Sequence, residues 1–439
     1  MSRSMCVCFD SNTRAIARIH RTPKITRSIY SRWAATAGLL ACLGVATVAN
    51  ANGDGDTEIA ELRRLIQEQQ RQLQVLQQRL DQLETTPAPS VAAPAPAEPY
   101  VRSGEPRVEL TLSGQVNRGL LVTDDGEETE WFNVDNSNSS TRMRLQGKAA
   151  ITEEFFIGTN FEVQIQSNST SSISQDNKST GSANFTDRKL EVILDHQRFG
   201  KLSLGQGDTA SNSTAEIDLS GTSVIGYSSV ADMAGGIQFR DDDTGDLSGV
   251  AIGDVFSNLD GLSRDDRVRY DTPGFNGFSA ATSFIENGRW DVAGRYSATL
   301  GMLKTAAAIG YADPDRGGNT DHRLSGSLSL LHESGVNFTA AGGRDSVDGG
   351  DDPSFYYVKL GYRAKLVDYG GTNFAIDYYQ GDDIDEDSGD ATAYGLFVVQ
   401  NLDDYGTEFY LGLRNYEYDT DDQDFDDVFA VLAGARVKF

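Results

Sequence analysis

Cysteine is almost missing from this chain of 439 residues: the three present, Cys6, Cys8 and Cys42, all lie near the N-terminus, so the remainder has no disulfide framework. Histidine is nearly as scarce. Beyond the first residues there are only His196, His322 and His332, and no serine nucleophile or metal-ligand spacing accompanies any of them, which argues against an enzyme and against a cofactor. Positive charge is in deficit, with 38 bases against 65 acids, a net charge of −27 and a pI near 4.4. Nucleic-acid binding needs the opposite balance. Proline is rare, with 10 residues, and only one apolar run, near the N-terminus, approaches the length of a spanning helix.

That run follows a basic lead. Arg3, Arg14, Arg18, Arg21, Lys24, Arg27 and Arg32 stand against the single acid Asp10, and the apolar stretch from Trp33 to Val48 ends in Ala49-Asn50-Ala51. A basic region, a short apolar core and an Ala-x-Ala site predict a secretory leader over residues 1–51. The tetrapeptide Leu39-Leu40-Ala41-Cys42 also has the form of a lipidation site, which keeps a lipidated Cys42 open as an alternative.

Residues 52–85 read as a coiled-coil helix. With Ile59, Ile66, Leu73 and Leu80 at the a positions, d falls on Leu62, Gln69, Leu76 and Leu83, so seven of eight seam positions are apolar. The Pro/Ala stretch TPAPSVAAPAPAEP lies within a linker over residues 86–106, which is expected to be extended and semi-rigid.

From Arg107 to Phe439 the period changes to two. Val108, Leu110, Leu112 and Val116 alternate with Glu109, Thr111, Ser113 and Gln115. Met143, Leu145 and Ala149 alternate with Arg142, Arg144, Gln146 and Lys148, and Val358, Leu360 and Tyr362 alternate with Lys359, Gly361 and Arg363. A dry core would not tolerate so many mid-strand cations. Short turns near Thr152–Glu154, Arg198–Gly200, Pro273–Gly277, Gly301–Met302, Glu333–Gly335, Asp368–Gly371 and Asp403–Gly406 are expected to alternate with longer acidic loops. The pattern predicts an all-β fold, a sixteen-stranded antiparallel transmembrane barrel with short periplasmic turns, long outer loops and a polar lumen. Adjacent aromatics, Phe155 with Phe156, Phe275 with Phe278, Tyr356 with Tyr357, Tyr378 with Tyr379 and Phe409 with Tyr410, are expected at the membrane interfaces.

Three segments, VELTLSGQV, RFGKLSLGQGD at 198–208 and RVRYDTPGFNGFSAATSF at 267–284, together with the terminal Val437 and Phe439, resemble the Gram-negative trimeric porin family over roughly residues 107–439. The coiled-coil prefix resembles that of a subset with a periplasmic coiled coil, including dicarboxylate-associated members. The resemblance implies an outer-membrane homotrimer, set among lipid and lipopolysaccharide, that passes small hydrophilic solutes and ions. Val437 and Phe439 would be read by the outer-membrane assembly machinery. It also implies that the third loop, residues 209–265, folds into the barrel. Its acids Glu216, Asp218, Asp232, Asp241, Asp242 and Asp243 would then face a basic wall of Arg142, Arg144, Lys148, Arg267, Arg269 and Arg295, all on the polar face by alternation. Acids opposite bases create a transverse field that sets ion selectivity. One departure is Gln206, where the family often carries arginine. Acidic mouths favour cations and a basic wall favours anions, so both signs of selectivity stay open. The acidic triplet Asp383, Asp385 and Asp387 before Gly389 has a loose likeness to a calcium loop, and diffuse binding of divalent ions is the simpler reading. Two other functions fit the same sequence: a structural tether acting through the coiled coil, and a pore preferring one substrate class such as dicarboxylates.

Overall fold

The computed structural model describes residues 107–439, except 180–183, 315–318 and 386–387, together with five residues of a helix, Arg64, Gln67, Glu68, Gln70 and Arg71. The leader, the coiled-coil seam and the Pro/Ala linker lie outside the described residues. Residues 1–95 and 96–439 form two separate units, and every strand belongs to the second.

Among the described residues twenty strands succeed one another: β1 (Val108–Asp124), β2 (Thr129–Asp135), β3 (Arg142–Ala150), β4 (Phe155–Gln166), β5 (Asn184–His196), β6 (Gly200–Asp208), β7 (Gln238–Asp241), β8 (Leu247–Ala251), β9 (Arg264–Asp271), β10 (Phe278–Ile285), β11 (Trp290–Leu300), β12 (Leu303–Asp313), β13 (Thr320–His332), β14 (Val336–Val347), β15 (Ser354–Val367), β16 (Gly370–Asp382), β17 (Asp390–Leu402), β18 (Thr407–Asp419), β19 (Phe425–Asp426) and β20 (Val428–Lys438). All neighbours in the main sheet are antiparallel. The sheet closes because β1 pairs with β20 through Val116↔Val437 and with β3 through Leu112↔Leu145. Beyond Lys438, Phe439 exchanges two backbone hydrogen bonds with Gly114, at 2.9 and 3.0 Å. Gly114 is required here, since a Cβ would meet the Phe439 ring at 2.6 Å. Closure removes the sheet edges, as a membrane barrel must.

The wall has sixteen strands because β2 and β3 are two halves of one. The expected loop after the first strand is instead a tight hairpin: β1 runs on to Asp124 and β2 returns beside it. Residues 136–141 then leave the ladder, and Asn136 caps a short turn by accepting from Asn138 N. The small polar run Asn136–Ser140 explains the break, because such side chains compete with the ladder for backbone groups.

The short turns fall at one end of the barrel, as the sequence predicts. At the other end the expected long loops are mostly compact. Among the described residues the stretches 167–179 and 209–263 belong to long connections, whereas 286–289 and 348–353 are tight. The adjacent aromatics divide between the two faces. Tyr356, Phe278 and Phe409 are exposed on the outside, but Tyr357, Tyr379 and Tyr410 point inward and are buried. The reason lies in loop 209–263, which fills one side of the lumen. Its Ile225, Met233, Ile237, Phe239, Val255 and Phe256 pack with inward Phe355, Tyr357, Tyr379, Phe397 and Tyr416 into a continuous apolar core. The polar-inside expectation therefore fails along β15–β18, where the inward face of the strands is buried in apolar surroundings.

Candidate functional site: a polar channel beside loop 209–263

The loop is fastened to the wall strand by strand. Its first residues, Ala210 and Ser211, donate from their backbone N–H groups to Asp291, at 3.2 and 2.8 Å, while Arg295 donates to the carbonyls of Ala210 and Asn212, both at 2.9 Å. Ser327 and Ser329 accept from the N–H groups of Ile217 and Leu219, both at 2.9 Å. Fully buried Lys359 then donates to Asp218 at 2.8 Å, Thr222 at 2.9 Å and the Gly226 carbonyl at 2.6 Å. Tyr416 and Tyr379 donate to the carbonyls of Val230 and Ser257, at 2.8 and 2.7 Å. At its far end the loop forms β7 and β8, and β7 pairs with β19 of the last connection.

Between this loop and the opposite wall runs a polar cavity of about 890 Å³. Six arginines line it: Arg142, Arg188, Arg264, Arg289, Arg323 and Arg436. Three acids of the loop, Glu216, Asp232 and Asp260, line it too. Much of the rest is hydroxyl, including Ser137, Ser139, Ser140 and Ser213.

The bases are held in clusters with too few acids. Buried Glu162 on β4 pairs with Arg144, with Arg188 at 2.8 Å and with Arg142 at 3.8 Å. Asp208 pairs with Lys189 and, at 2.9 Å, with Arg264. The wall from β3 to β9 thus sets five cations on two carboxylates, an excess of three positive charges. The loop opposes this with up to three negative ones. Burial, followed by the nearby charge of Glu216, pushes Asp260 up to about 7; its carboxylate accepts from the N–H groups of Ser213 and Ala215, at 2.5 and 2.8 Å. Burial likewise pushes Asp232 up to about 6, although the Tyr227 hydroxyl donates to it.

The sequence-predicted residues separate into distinct places. Arg142, Glu216 and Asp232 line the cavity, with Arg144 one step behind on Glu162. Arg267 is buried, 2.5 Å from Glu191, and also donates to the carbonyls of Gly205 and Asp208. Arg269 holds Asp271 of its own strand and the Thr209 carbonyl, the latter at 2.7 Å. None of Arg267, Arg269 and Arg295 lines the cavity: Arg267 spends its donors on Glu191 and on carbonyls of β6, while Arg269 and Arg295 hold carbonyls at the root of the loop. Lys148 lies 4.1 Å over the Phe156 ring toward the short-turn end. Asp218 is occupied by Lys359. Asp241, Asp242 and Asp243 belong to a separate acidic hollow with Asp421, Asp422 and Asp424, away from the arginine-lined cavity. Gln206, in register with Leu190 and Asp266, is likewise not a lining residue. Asp383 fastens its own turn by accepting from Ser388 N at 2.8 Å, and Asp387 lies outside the described residues.

Five lining arginines and Asp260 escape the sequence reading. Arg188 is hidden by a register shift at Glu162/Val163, which breaks the alternation of β5. Arg264 and Arg289 sit at strand ends, where period two carries no information. Arg436 lies on a cleanly alternating strand and could have been found there, as could Arg323, just past the register shift at Thr320/His322.

A closed sixteen-stranded barrel with a charged, off-centre passage narrowed by an inward loop defines an outer-membrane channel. The chain belongs to the Gram-negative porin family, whose model matches residues 85–421. Solved structures agree on the fold. An anion-selective porin from Comamonas acidovorans has a TM-score of 0.51 at 18% identity, over 76% of this chain and 100% of that one. In-vitro folded OmpT of Vibrio cholerae has a TM-score of 0.51 at 13% identity, over 77% and 99%. Its loop L8 deletion mutant has 0.50 at 14%, over 76% and 100%. No curated protein matches the sequence. As a porin the protein is a channel and not an enzyme.

Proposed function

We propose that this channel carries small hydrophilic solutes and ions passively, as a homotrimer, with a weak preference for anions at neutral pH. The observation that carries this reading is the imbalance across the cavity: five cations share two carboxylates on the wall, while burial brings two of the three opposing acids close to neutral pH. Charges arranged this way set up a field across the passage, strengthened by the low-dielectric apolar core behind the loop. Hydroxyls and arginines suit hydrated anions and carboxylated solutes, and the lining offers no aromatic track for apolar ones. Binding is weak enough to permit exit, as conduction requires.

The test is single-channel conductance in planar bilayers with a reversal potential under a salt gradient. Conductance with a reversal potential of anion-preferring sign is expected. A cation-preferring sign at pH 6 would overturn the selectivity, and no conductance at all would overturn the channel reading. The coiled coil and linker, residues 52–106, are proposed as a periplasmic appendage that the channel does not need, so their deletion leaves the current unchanged.

A further inference from the structure

The loop is held unevenly. Its root and middle take donors from the wall, but its tip, the hairpin of β7 and β8, rests on three connections at the long-loop end. Two of these holds are matched. Arg240 pairs with Asp125 of the β1–β2 turn at 3.0 Å. Gln175 donates to Asp125 at 3.0 Å and to the Gln238 carbonyl at 2.8 Å, and accepts from the Gln238 N–H at 3.0 Å. The third hold is the last connection. Its β19 pairs with β7 over only two positions, Phe425 opposite Asp241 and Asp426 opposite Arg240. Gln423 donates to Asp241 at 2.7 Å, and the Phe425 ring lies 6.2 Å from Phe239 and 5.3 Å from Tyr418.

Like charge works against this third hold. Asp241, Asp242 and Asp243 on one side and Asp421, Asp422 and Asp424 on the other enclose the acidic hollow, and no base lines it among the described residues. Asp426 is pressed on Gly126, where a Cβ would meet its side chain at 2.9 Å. Asp242 of the loop and Asp125 and Glu127 of the β1–β2 turn face it, while nearby cations are spent, Arg240 on Asp125 and Lys178 on Glu130. On its own connection, Asp419 accepts from the Phe425 N–H at 3.2 Å and Asp427 accepts from Asn415 at 3.0 Å. Burial, then Asp242 and Glu127, raise the Asp426 carboxyl above the usual range. It also hydrogen-bonds Asp242, which two carboxylates can do only by sharing a proton. That proton is bound more tightly while β19 is docked, so the hold is complete in acid and is lost as pH rises through the raised value. Asp241, lowered by Thr244 and then by Gln423, stays ionised through this window and keeps its donor.

We propose that the last connection is a clasp that positions the tip of loop 209–263, and that a proton shared by Asp426 and Asp242 fastens it, so acid steadies the open passage and alkali loosens it. The link to the passage is short. Asp232, which lines it, sits in the turn Val230–Met233 just before β7, where Thr170 donates to its carbonyl at 2.7 Å. A released hairpin frees this turn to move into the passage and causes brief partial closures. This rests on the reading of the barrel as a channel.

The test records single channels of the full chain in planar bilayers at about pH 5.5 and pH 8, in about 0.1 M salt, where surface charge is weakly screened. Partial closures are expected to be about fivefold more frequent at pH 8, and D426N, which keeps the shape and removes the charge, to stay at the acid level at both values with the reversal potential of the native protein. F425A is expected to close often at both. Equal closing of the native channel at the two pH values overturns the proposal, and D426N with the native pH dependence removes Asp426 from it. A second measurement does not need current. Spin labels on D246C/D421C, with each single cysteine as a control for Cys42, should give one narrow distance at pH 5.5 and a broader, longer distribution at pH 8. Fixed distances in a conducting channel refute the clasp alone, whereas shifting distances in a protein that never conducts uphold the clasp and refute the channel.

Discussion

The two halves of the lumen are built from the same alternating strands and behave in opposite ways. Along β15–β18 the inward positions are Phe355, Tyr357, Tyr379, Phe397 and Tyr416, closed over by the loop, and the few charges there are buried in matched pairs: Lys359 with Asp218 and Arg414 with Asp377. Across the passage the inward positions are arginines, wet and sharing too few acids. A matched pair in an apolar setting is structural, since its value lies in satisfying charges that have nowhere else to go. An unmatched cluster beside water keeps its field and acts on whatever passes. Identical residue types thus divide into fasteners and filters by what lies in front of them.

Breaking a fastener on the solid side should have the largest effect. Lys359→Ala leaves Asp218 buried without its cation and is expected to cost about 3–5 kcal/mol. Thermal melting in detergent checks this, and an unchanged melting temperature would remove Lys359 from that role. Arg267→Ala is expected to act alike through stranded Glu191, although Arg267 is on the wet side; its loss should appear in stability before selectivity. On the filter side, Arg142→Glu should shift permeability toward cations by roughly threefold, through a two-unit charge change beside the passage. Reversal potentials in planar bilayers measure this, and equal values for R142E and native protein would sink the assignment.

Acidification gives a smaller effect of fixed sign. Asp260 and Asp232 carry raised values of about 7 and about 6, so lowering the pH from 8 to 5 protonates both and removes two negative charges from the loop. Anion preference should rise by about twofold, with its midpoint between those values, and Asp260→Asn should delete the upper part of the transition. Least of all, Asp241→Asn and Asp242→Asn, in the separate acidic hollow, should leave selectivity unchanged and stability within about 0.5 kcal/mol.

The cylinder was legible because period two, mid-strand cations and turn residues such as Pro273 and Gly277 all point to one architecture. The solid half was not. Tyr357 and Tyr379 sit beside Tyr356 and Tyr378 in sequence, and a doublet of rings does not reveal which member meets lipid and which meets a loop folded from 209–263. The passage was legible in part. Alternation placed Arg142 and Arg144 inside, but could not distinguish them from Arg267, whose donors are taken by Glu191 and carbonyls of the neighbouring β6, or from Arg269, taken by Asp271 and by the Thr209 carbonyl at the root of the folded loop. Arg188 was concealed by one extra residue in its strand, and Asp260 by the absence of any period in a loop.

The serine-rich lining bears on throughput. The hydroxyls of Ser137, Ser139 and Ser213 are already held by Ser169 and Ser171, by Arg142 and Arg436, and by Glu216, so they present a traveller with successive, shallow footholds and no deep resting place. Flux over so level a path should scale with concentration far into the millimolar range, and residence in the passage should be brief even for solutes that the arginines draw in.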